Sequence, residues 1–255
     1  MRSLFHSRTP EPPPTVEPVP TVFPKIEGAE MAAVFAGKRV GGDFYDSVRV
    51  SPERVLFGLL DAAGRRDTNR GVLREAQTIF RHMGCSLFSA ADVNESTAMT
   101  ELCLLLNRGI MESSRGICSC PAFIGCYHEQ FGTLCYTNAG HTPGLLRDGT
   151  GVIELPSTGL PLGLFSHATS DAPTVALEKG GALLLVSRGL VESKCKDYRA
   201  EKPEFSLDRA KESLLQNHSP SARELCTSLL TEVGEFTCDP LTHDDRTALA
   251  FMRNA

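Results

Sequence analysis

Residues 123–155 read FIGCYHEQFGTLCYTNAGHTPGLLRDGTGVIEL, and the spacing of strands in this segment predicts how the sheets are built. It contains three strand-like runs, Phe123 to His128, Thr133 to Thr137 and Gly144 to Arg147. A parallel pair of strands needs a crossover of a dozen or more residues, usually a helix, and the gaps here are too short for one. The strands are therefore predicted to pair as antiparallel hairpins.

Further strands and helices are predicted on both sides of this stretch. The strand-like runs are Met31 to Phe35, Val55 to Leu60, Ala182 to Ser187 and Thr247 to Met252. Apolar residues recur at helical spacing in two places, Val72, Ala76, Ile79, Phe80 and Met83, and then Met99, Leu102, Cys103, Leu106 and Ile110.

Two more helices are predicted near the end of the chain. One runs from about Leu207 to Gln216, and the next begins at Ser219 or Ser221, where Ser221 and Glu224 have capping-box spacing. Antiparallel strands in two groups, with helices segregated around them, predict a layered α+β domain ordered helix, sheet, sheet, helix.

Composition limits the classes of function. The chain has 255 residues, of which 41% are hydrophobic and 22% charged, enough for one substantial core. The net charge of -5 argues against nucleic-acid binding, because an acidic protein repels the phosphate backbone. No apolar run approaches the length of a membrane span, and the N-terminus lacks the apolar core of a secretory signal. A cytoplasmic protein without a membrane segment is therefore expected.

The N-terminal region is rich in proline, with TPEPPPTVEPVPTVFP from Thr9 to Pro24. Proline fixes φ and removes amide donors, so neither helix nor internal sheet is expected there. The predicted organisation is a disordered tail over residues 1–26 and one domain over residues 27–255. The tail is either a spacer or a ligand of the PxxP type.

The nine cysteines are interpreted as reduced and mostly buried thiols, since the number is odd and no secretion signal is present. Cys118 and Cys120 lie near Cys126 and His128 in sequence, so a zinc site was considered. Their spacing lacks the two-residue gap of common zinc knuckles. Cys126 and His128 also fall in an alternating strand, where small side chains usually pack.

Candidate functional side chains follow or precede strands in five segments. These are Val40 to Asp46, Phe57 to Gly64, Tyr136 to His141 together with Gly159 to Gly163, Leu183 to Glu192, and His243 to Thr247. Three segments place an aspartate beside a strand end, namely Asp43, Asp61 and Asp244. Rigid backbone there could gather carboxylates into one site for a hard cation. Taken singly, each aspartate is equally typical of an ordinary turn.

Six motifs together resemble a known family. GGDFYD, LLDAAG, NAGH, GLPLG, LLLVSRGLVES and DDRTALAF are similar, in order, to the motifs of the SpoIIE and RsbU phosphatases. These form a bacterial branch of the PPM, or PP2C-like, serine/threonine protein phosphatases. The similarity runs from about Glu27 to Arg253. It implies an antiparallel β-sandwich flanked by helices, which agrees with the strand and helix pattern.

The resemblance also implies a metal site and a reaction. Asp43 would bind one divalent ion, Asp61 would bridge two, the Ala62 carbonyl would complete part of the first shell, and Asp244 would hold the second ion. The family's metals are usually Mn²⁺ or Mg²⁺. Two such ions lower the pKa of a shared water and clamp the phosphoryl oxygens, so that no covalent enzyme intermediate is needed.

One position departs from the family in a way that changes the expected chemistry. The fourth motif usually reads Thr-Asp-Gly or Ser-Asp-Gly, and its aspartate binds the second ion, whereas this chain has Arg188. A guanidinium disfavours a nearby divalent ion and could pair with Asp244 or grip a phosphate directly. One ion is therefore expected to persist and the second to bind weakly. The loop after Asp61 also departs from the family pattern. Relatives carry a Ser-Gly-His-Gly or Ser-Gly-Lys-Gly stretch there, whereas this chain has Ala63-Gly64-Arg65-Arg66.

Two functional interpretations follow. The first is a working phosphatase for phosphoserine or phosphothreonine on a protein partner, which we favour because three of the four metal carboxylates remain. The second is a pseudophosphatase that binds a phosphoprotein or regulator without turnover. A structural interpretation is kept for Asn138 and His141 as supports near the core, and for Tyr45 and Glu192 as ordinary residues. The role of Asp245 is open.

The resemblance implies a place in bacterial partner-switching signalling. Its substrate would be a phosphorylated protein such as an anti-sigma factor antagonist. A helix before the catalytic body often mediates dimerisation in relatives, but the equivalent stretch here is rich in proline, so a monomer is expected.

Overall fold

The computed structural model describes residues 18–37, 42–114, 118–195, 203–237 and 245–254, without the side chains of residues 66 and 67. Ten strands and five helices lie in this part of the chain. In order they are β1 (Ala29–Ala36), β2 (Asp43–Ser51), β3 (Arg54–Asp61), α1 (Arg66–Phe88), α2 (Glu95–Ser113), β4 (Ala122–His128), β5 (Thr133–Ala139), β6 (Gly144–Arg147), β7 (Val152–Leu155), β8 (Thr174–Ala176), β9 (Ala182–Val186), α3 (Arg188–Val191), α4 (Ser206–Gln216), α5 (Ala222–Thr237) and β10 (Arg246–Arg253).

The strands form two antiparallel sheets. One has the order β1-β10-β9-β6-β7 and the other the order β2-β3-β4-β5-β8. The predicted hairpin of β4 with β5 is confirmed, and β6 forms a hairpin with β7 rather than with β5. However, β5 and β6 belong to different sheets, so the short segment between them carries the chain from one sheet to the other.

Three strands were not predicted from sequence, β2, β7 and β8. In β2 the residues DFYDSVRVS mix polar and apolar types on both faces, which hides the alternation expected of a half-buried strand. β7 and β8 have only four and three residues, too few to give a periodic signal.

The side chains of β3 explain how one strand serves two cores. Val55, Phe57 and Leu59 point between the two sheets, where they meet side chains such as Phe251 of β10. The intervening residues, among them Leu56, point to the opposite face and pack under α1 and α2. Because both faces are covered, the strand is apolar along nearly its whole length.

A third core lies between the other sheet and the C-terminal helices. α4 and α5 cover the outer face of β9 and β10, so the layers run helix, sheet, sheet, helix as predicted. The predicted start of α5 is also confirmed, because the Ser221 hydroxyl accepts a hydrogen bond from the Glu224 backbone N–H at 3.2 Å. Asn94 caps α2 in the same way, accepting from the Thr97 N–H at 2.9 Å.

Residues 18–26 pack against the domain. The Val19 backbone exchanges two hydrogen bonds with the Gln77 amide of α1, at 2.7 and 2.8 Å. The Phe23 ring stacks on that of Tyr45, which lies on β2. This segment therefore ties α1 to β2. Of the tail predicted to be disordered over residues 1–26, residues 1–17 lie outside the described residues.

Cys118 and Cys120 lie beside each other, but Cys126 and His128 do not complete a zinc site with them. Cys126 packs in the core beneath α1 and α2, while His128, farther along β4, lies against the Phe131 ring. Over the described residues, no group of three or more His, Cys, Asp or Glu side chains is arranged to hold a metal. In the same part of the chain, no helix combines the length and apolarity needed to span a bilayer.

Candidate metal centre

The pairing of β2 with β3 places two carboxylates side by side. Asp43 begins β2, Asp61 ends β3, and the two residues are direct partners in the antiparallel ladder. Cα atoms of such partners lie about 4.5 to 5.5 Å apart. The register of one hairpin therefore brings together two residues that are eighteen positions apart in sequence.

The backbone around these carboxylates is fitted closely. The Ala62 N–H donates to the Gly42 carbonyl at 3.2 Å. A Cβ atom on Gly42 would lie 1.9 Å from the Ala62 carbonyl oxygen, so only glycine fits at this position. The second glycine of the GGDFYD motif thus allows the Ala62 carbonyl to lie directly beside Asp43.

Asp43 is held by two hydroxyl groups from the other sheet. The Thr247 hydroxyl donates to its carboxylate at 2.7 Å, and the Ser187 hydroxyl also hydrogen-bonds to it. Ser187 accepts in turn from the Thr247 N–H at 3.0 Å. Burial, and next the negative charge of Asp61, raise the pKa of Asp43 to about 7, against the lowering effect of these hydroxyl groups.

Asp61 faces the end of β9 and the start of α3. Burial raises its pKa, while the Arg188 charge and the Arg188 backbone N–H, which hydrogen-bonds to the carboxylate, oppose that rise. The Arg188 Nε atom lies 4.0 Å from the Asp61 Oδ2 atom and 4.0 Å from the Glu192 Oε1 atom. The Arg188 side chain is 64% exposed, so its guanidinium sits at the mouth of the site.

These groups line an open pocket of about 220 Å³. Its walls come from the start of β2, the loop after β3, α3 and the residue before β10. The lining residues are Gly42, Asp43, Asp61, Ala62, Ala63, Gly64, Arg188, Gly189, Glu192 and Asp245. A pocket of this size with carboxylates at its base and one guanidinium at its edge suits a small anion together with a cation.

The pocket gathers four of the five residues singled out from sequence, Asp43, Asp61, Ala62 and Arg188. The fifth, Asp244, lies outside the described residues. Its neighbour Asp245 is buried and lines the pocket, and its charge acts on both other aspartates.

Glu192 was interpreted from sequence as an ordinary residue, yet it lines the pocket. Its spacing of four residues from Arg188 is the one signal that could have found it, because residues four apart on a helix are neighbours.

Asn138 and His141 support the loop that joins the two sheets. The Asn138 side-chain oxygen accepts from the His141 N–H at 2.8 Å, and its amide donates to the carbonyls of Thr142 and Leu155. Burial lowers the pKa of His141 to about 4, so the ring is neutral at physiological pH. Neither residue lines the pocket.

The residues present fit one hard divalent cation. Buried Asp43 and partly buried Asp61 are neighbours whose negative charges repel, and a cation between them would relieve both the repulsion and the burial of charge. The Ala62 carbonyl could serve as a further oxygen ligand. The fit for a second cation is poor, because the Arg188 charge already lies 4.0 Å from Asp61.

The raised pKa of Asp43 gives a prediction for the metal-free protein. Between about pH 4 and pH 7 the folded state holds a proton that the unfolded state, with a pKa near 3.8, has lost. The free energy of unfolding in EDTA should therefore fall as pH rises through this range. Asp43→Asn removes the ionisable group, so it should be more stable than the natural chain at pH 8, by about 2–4 kcal/mol. Urea unfolding in EDTA measures this.

The control measurement is made in saturating Mn²⁺. There the natural chain should be more stable than Asp43→Asn, because only the natural chain gains stability from binding the ion. Equal stability of the two proteins in EDTA at pH 8 would contradict the assigned environment of Asp43.

The chain has a PP2C-like fold, with two antiparallel sheets between helical layers and paired aspartates at one end. The SpoIIE family, described as Stage II sporulation protein E, matches residues 52–254. The chain therefore belongs to the SpoIIE family.

Individual relatives agree with this assignment. The chain is 22% identical over 238 residues to phosphoserine phosphatase RsbU of Bacillus subtilis (strain 168), covering 91% of this chain and 66% of RsbU. The chain thus spans a little under two thirds of that relative's length.

Two solved structures show the same fold. The RsbU and RsbW domains of Rv1364c from Mycobacterium tuberculosis match with a TM-score of 0.70 and 24% identity, over 91% of this chain and 62% of that one. The SiaA-PP2C domain of Pseudomonas aeruginosa matches with a TM-score of 0.72 and 18% identity, over 87% and 84% of the two chains.

Proposed function

We propose that this chain is a metal-dependent phosphatase that removes phosphate from phosphoserine or phosphothreonine on a protein partner. It uses one Mn²⁺ or Mg²⁺ ion held by Asp43, Asp61 and the Ala62 carbonyl. The observation that carries the proposal is the direct pairing of Asp43 with Asp61 at the base of an open pocket. Asp244 is the proposed ligand of a second ion, which Arg188 disfavours.

The proposed ion supplies Lewis-acid polarisation of a phosphoryl oxygen and a more acidic water. The residues of the chain do the rest. The Thr247 and Ser187 hydroxyls fix the orientation of the Asp43 carboxylate. The Arg188 N–H does the same for Asp61. Both carboxylates are thereby pre-organised, which lowers the cost of assembling the site when a substrate arrives.

Arg188 is proposed to bind the phosphate of the substrate. Its guanidinium is well exposed at the pocket edge, and its fork of donors matches two phosphate oxygens. A fixed cation there also stabilises negative charge on the phosphoryl group, part of the task that a second metal ion would perform. Arg188 is thus proposed to weaken binding of the second cation and also to take over part of its task.

The proposed substrate is a phosphorylated protein of a partner-switching system, such as an anti-sigma factor antagonist, in the cytoplasm. A relative named phosphoserine phosphatase and a neighbour that joins RsbU and RsbW domains support this class of substrate. The pocket is partly open to solvent, which suits a phosphorylated side chain presented by a protein surface.

A second candidate is a pseudophosphatase that binds a phosphoprotein without turnover. One observation favours it, the approach of the Arg188 Nε atom to within 4.0 Å of Asp61. If that charge occupies the space of the cation, the pocket would bind phosphate by the guanidinium alone.

Mn²⁺ calorimetry and peptide hydrolysis on the same preparation separate the two candidates. The phosphatase predicts binding of one Mn²⁺ per chain and release of phosphate from a phosphoserine peptide that stops in EDTA. A matched phosphotyrosine peptide serves as the control and should be cleaved much more slowly. Mn²⁺ binding without phosphate release would favour the pseudophosphatase, and absence of Mn²⁺ binding would refute the proposed function.

A further inference from the structure

Two buried thiols lie in contact directly behind the candidate metal centre. The Sγ atoms of Cys118 and Cys120 are 3.6 Å apart. Cys118 is 7% exposed and Cys120 is fully buried. The phosphatase site as proposed uses neither thiol.

The backbone between these cysteines supports the metal site. The Ser119 carbonyl accepts from the Ala63 N–H at 2.8 Å, and the Pro121 carbonyl accepts from the Asp61 N–H at 2.8 Å. The strip 118–121 is therefore the hydrogen-bonding neighbour of the loop that carries Asp61 and the Ala62 carbonyl. A change in the backbone conformation of Ser119 would therefore reach that loop directly, through the hydrogen bond from the Ala63 N–H to the Ser119 carbonyl.

The opposite side of the strip is fixed, so it cannot absorb such a change. Cys120 exchanges two backbone hydrogen bonds with Leu162, at 2.8 and 3.1 Å. The Cys118 carbonyl lies so close to Gly163 that a Cβ atom there would approach it to 2.1 Å. Movement of the strip is therefore directed towards the Asp61 loop.

The surroundings of the pair favour a disulfide over a thiolate-bound metal. Burial raises the pKa of Cys120 well above the ordinary value, because a thiolate there would be poorly solvated. A metal would require two such thiolates, and the described residues offer no group of three or more ligands to complete its shell. A disulfide carries no charge, so the buried environment does not oppose it.

We propose that Cys118 and Cys120 form a disulfide when the protein meets a peroxide, and that this bond weakens cation binding at Asp61 and Ala62. The second part of the inference rests on the proposed function. The sulfur of Cys118 attacks one peroxide oxygen, giving a sulfenic acid and one water. The sulfur of Cys120 then attacks that sulfenic sulfur, the S–S bond forms, and the hydroxyl group leaves as a second water.

Ring closure explains the effect on the metal. The two sulfurs must move from 3.6 Å to about 2.05 Å apart, and the proposal is that the Ser119 backbone between them rotates as they do. Such a rotation would weaken the hydrogen bond that the Ser119 carbonyl accepts from the Ala63 N–H. Because linkage is reciprocal at equilibrium, a bound cation should disfavour the disulfide relative to the two thiols by the same factor by which the disulfide weakens cation binding.

The test compares the natural chain with Cys118→Ala, Cys120→Ala and, as a control, Cys85→Ser, which alters an exposed cysteine elsewhere. Each is treated with hydrogen peroxide, alkylated and mapped by peptide mass spectrometry. The natural chain and the control should give an unalkylated Cys118–Cys120 peptide that dithiothreitol returns to two free thiols. Mn²⁺ calorimetry on the same samples should show about tenfold weaker binding after oxidation, restored by dithiothreitol.

Each remaining outcome decides a separate point. Over-oxidation to sulfinic acid, or alkylation of both cysteines after peroxide, overturns the disulfide. A disulfide with unchanged Mn²⁺ affinity overturns the coupling. If the reduced chain binds no Mn²⁺, the proposed function fails while the mass measurement still tests the disulfide. Either alanine variant alone suffices for the comparison should the other fail to fold.

Discussion

Arg188→Asp is expected to raise the Mn²⁺-dependent hydrolysis of a phosphoserine peptide by about ten- to a hundredfold and to add a second bound Mn²⁺. The substitution turns Ser187-Arg188-Gly189 into the Ser-Asp-Gly of the family motif. It replaces a positive charge 4.0 Å from Asp61 with a carboxylate that can bind a cation. Calorimetric counting of Mn²⁺ and the rate of phosphate release measure the two effects independently.

Arg188→Gln separates the two parts of this change, because it removes the charge without adding a ligand. It should leave the ion count at one and lower the affinity for the phosphopeptide, as expected if the guanidinium binds phosphate. If Arg188→Asp binds no more Mn²⁺ than the natural chain, then position 188 does not control the second ion. Inactivity of both proteins, with phosphopeptide binding retained, would favour the pseudophosphatase.

Asp61→Asn should abolish Mn²⁺ binding and lower phosphate release by at least about a hundredfold. Asp61 is the carboxylate that faces both Asp43 and the pocket, and its loss removes several kcal/mol of stabilisation of the cation and of the transition state. The measurements are again Mn²⁺ calorimetry and peptide hydrolysis.

The metal-free fold should survive this substitution. Burial disfavours the ionised form of Asp61, so a neutral amide of the same shape removes an electrostatic cost. The thermal midpoint in EDTA should therefore be equal to or above that of the natural chain. Asp92→Asn is the matched control, since it makes the same change at an exposed position. Normal Mn²⁺ binding by Asp61→Asn would overturn the assigned centre.

Local sequence features were sufficient to predict most of the secondary structure. The stripe from Val72 to Met83 lies within α1, and that from Met99 to Ile110 lies within α2. Both helices are long enough for repeated apolar spacing to emerge from the sequence. β2 was missed because its residues face a sheet edge, a helix and the N-terminal segment, so its burial follows no simple alternation.

Candidate site residues were found only where a motif identified them. Asp43 and Asp61 stand beside glycine or small residues at strand ends, and the order of six motifs distinguished them from ordinary turn aspartates. Glu192 lies within the LLLVSRGLVES motif, but the resemblance implied no role for it, and it was missed. Its place in the pocket depends on where α3 lies relative to β3, which no local pattern contains.

Local sequence patterns were enough to predict the antiparallel layered architecture, because short gaps forbid crossovers and apolar spacing identifies which faces are buried. The motifs were enough to predict the family and the exchange of a carboxylate for Arg188. Three features emerged only from the three-dimensional packing: Asp43 and Asp61 are ladder partners, the Arg188 guanidinium faces Asp61, and two thiols lie 3.6 Å apart behind the loop. These facts depend on strand register and on the packing of segments distant in sequence, and both are set by the burial of the whole core.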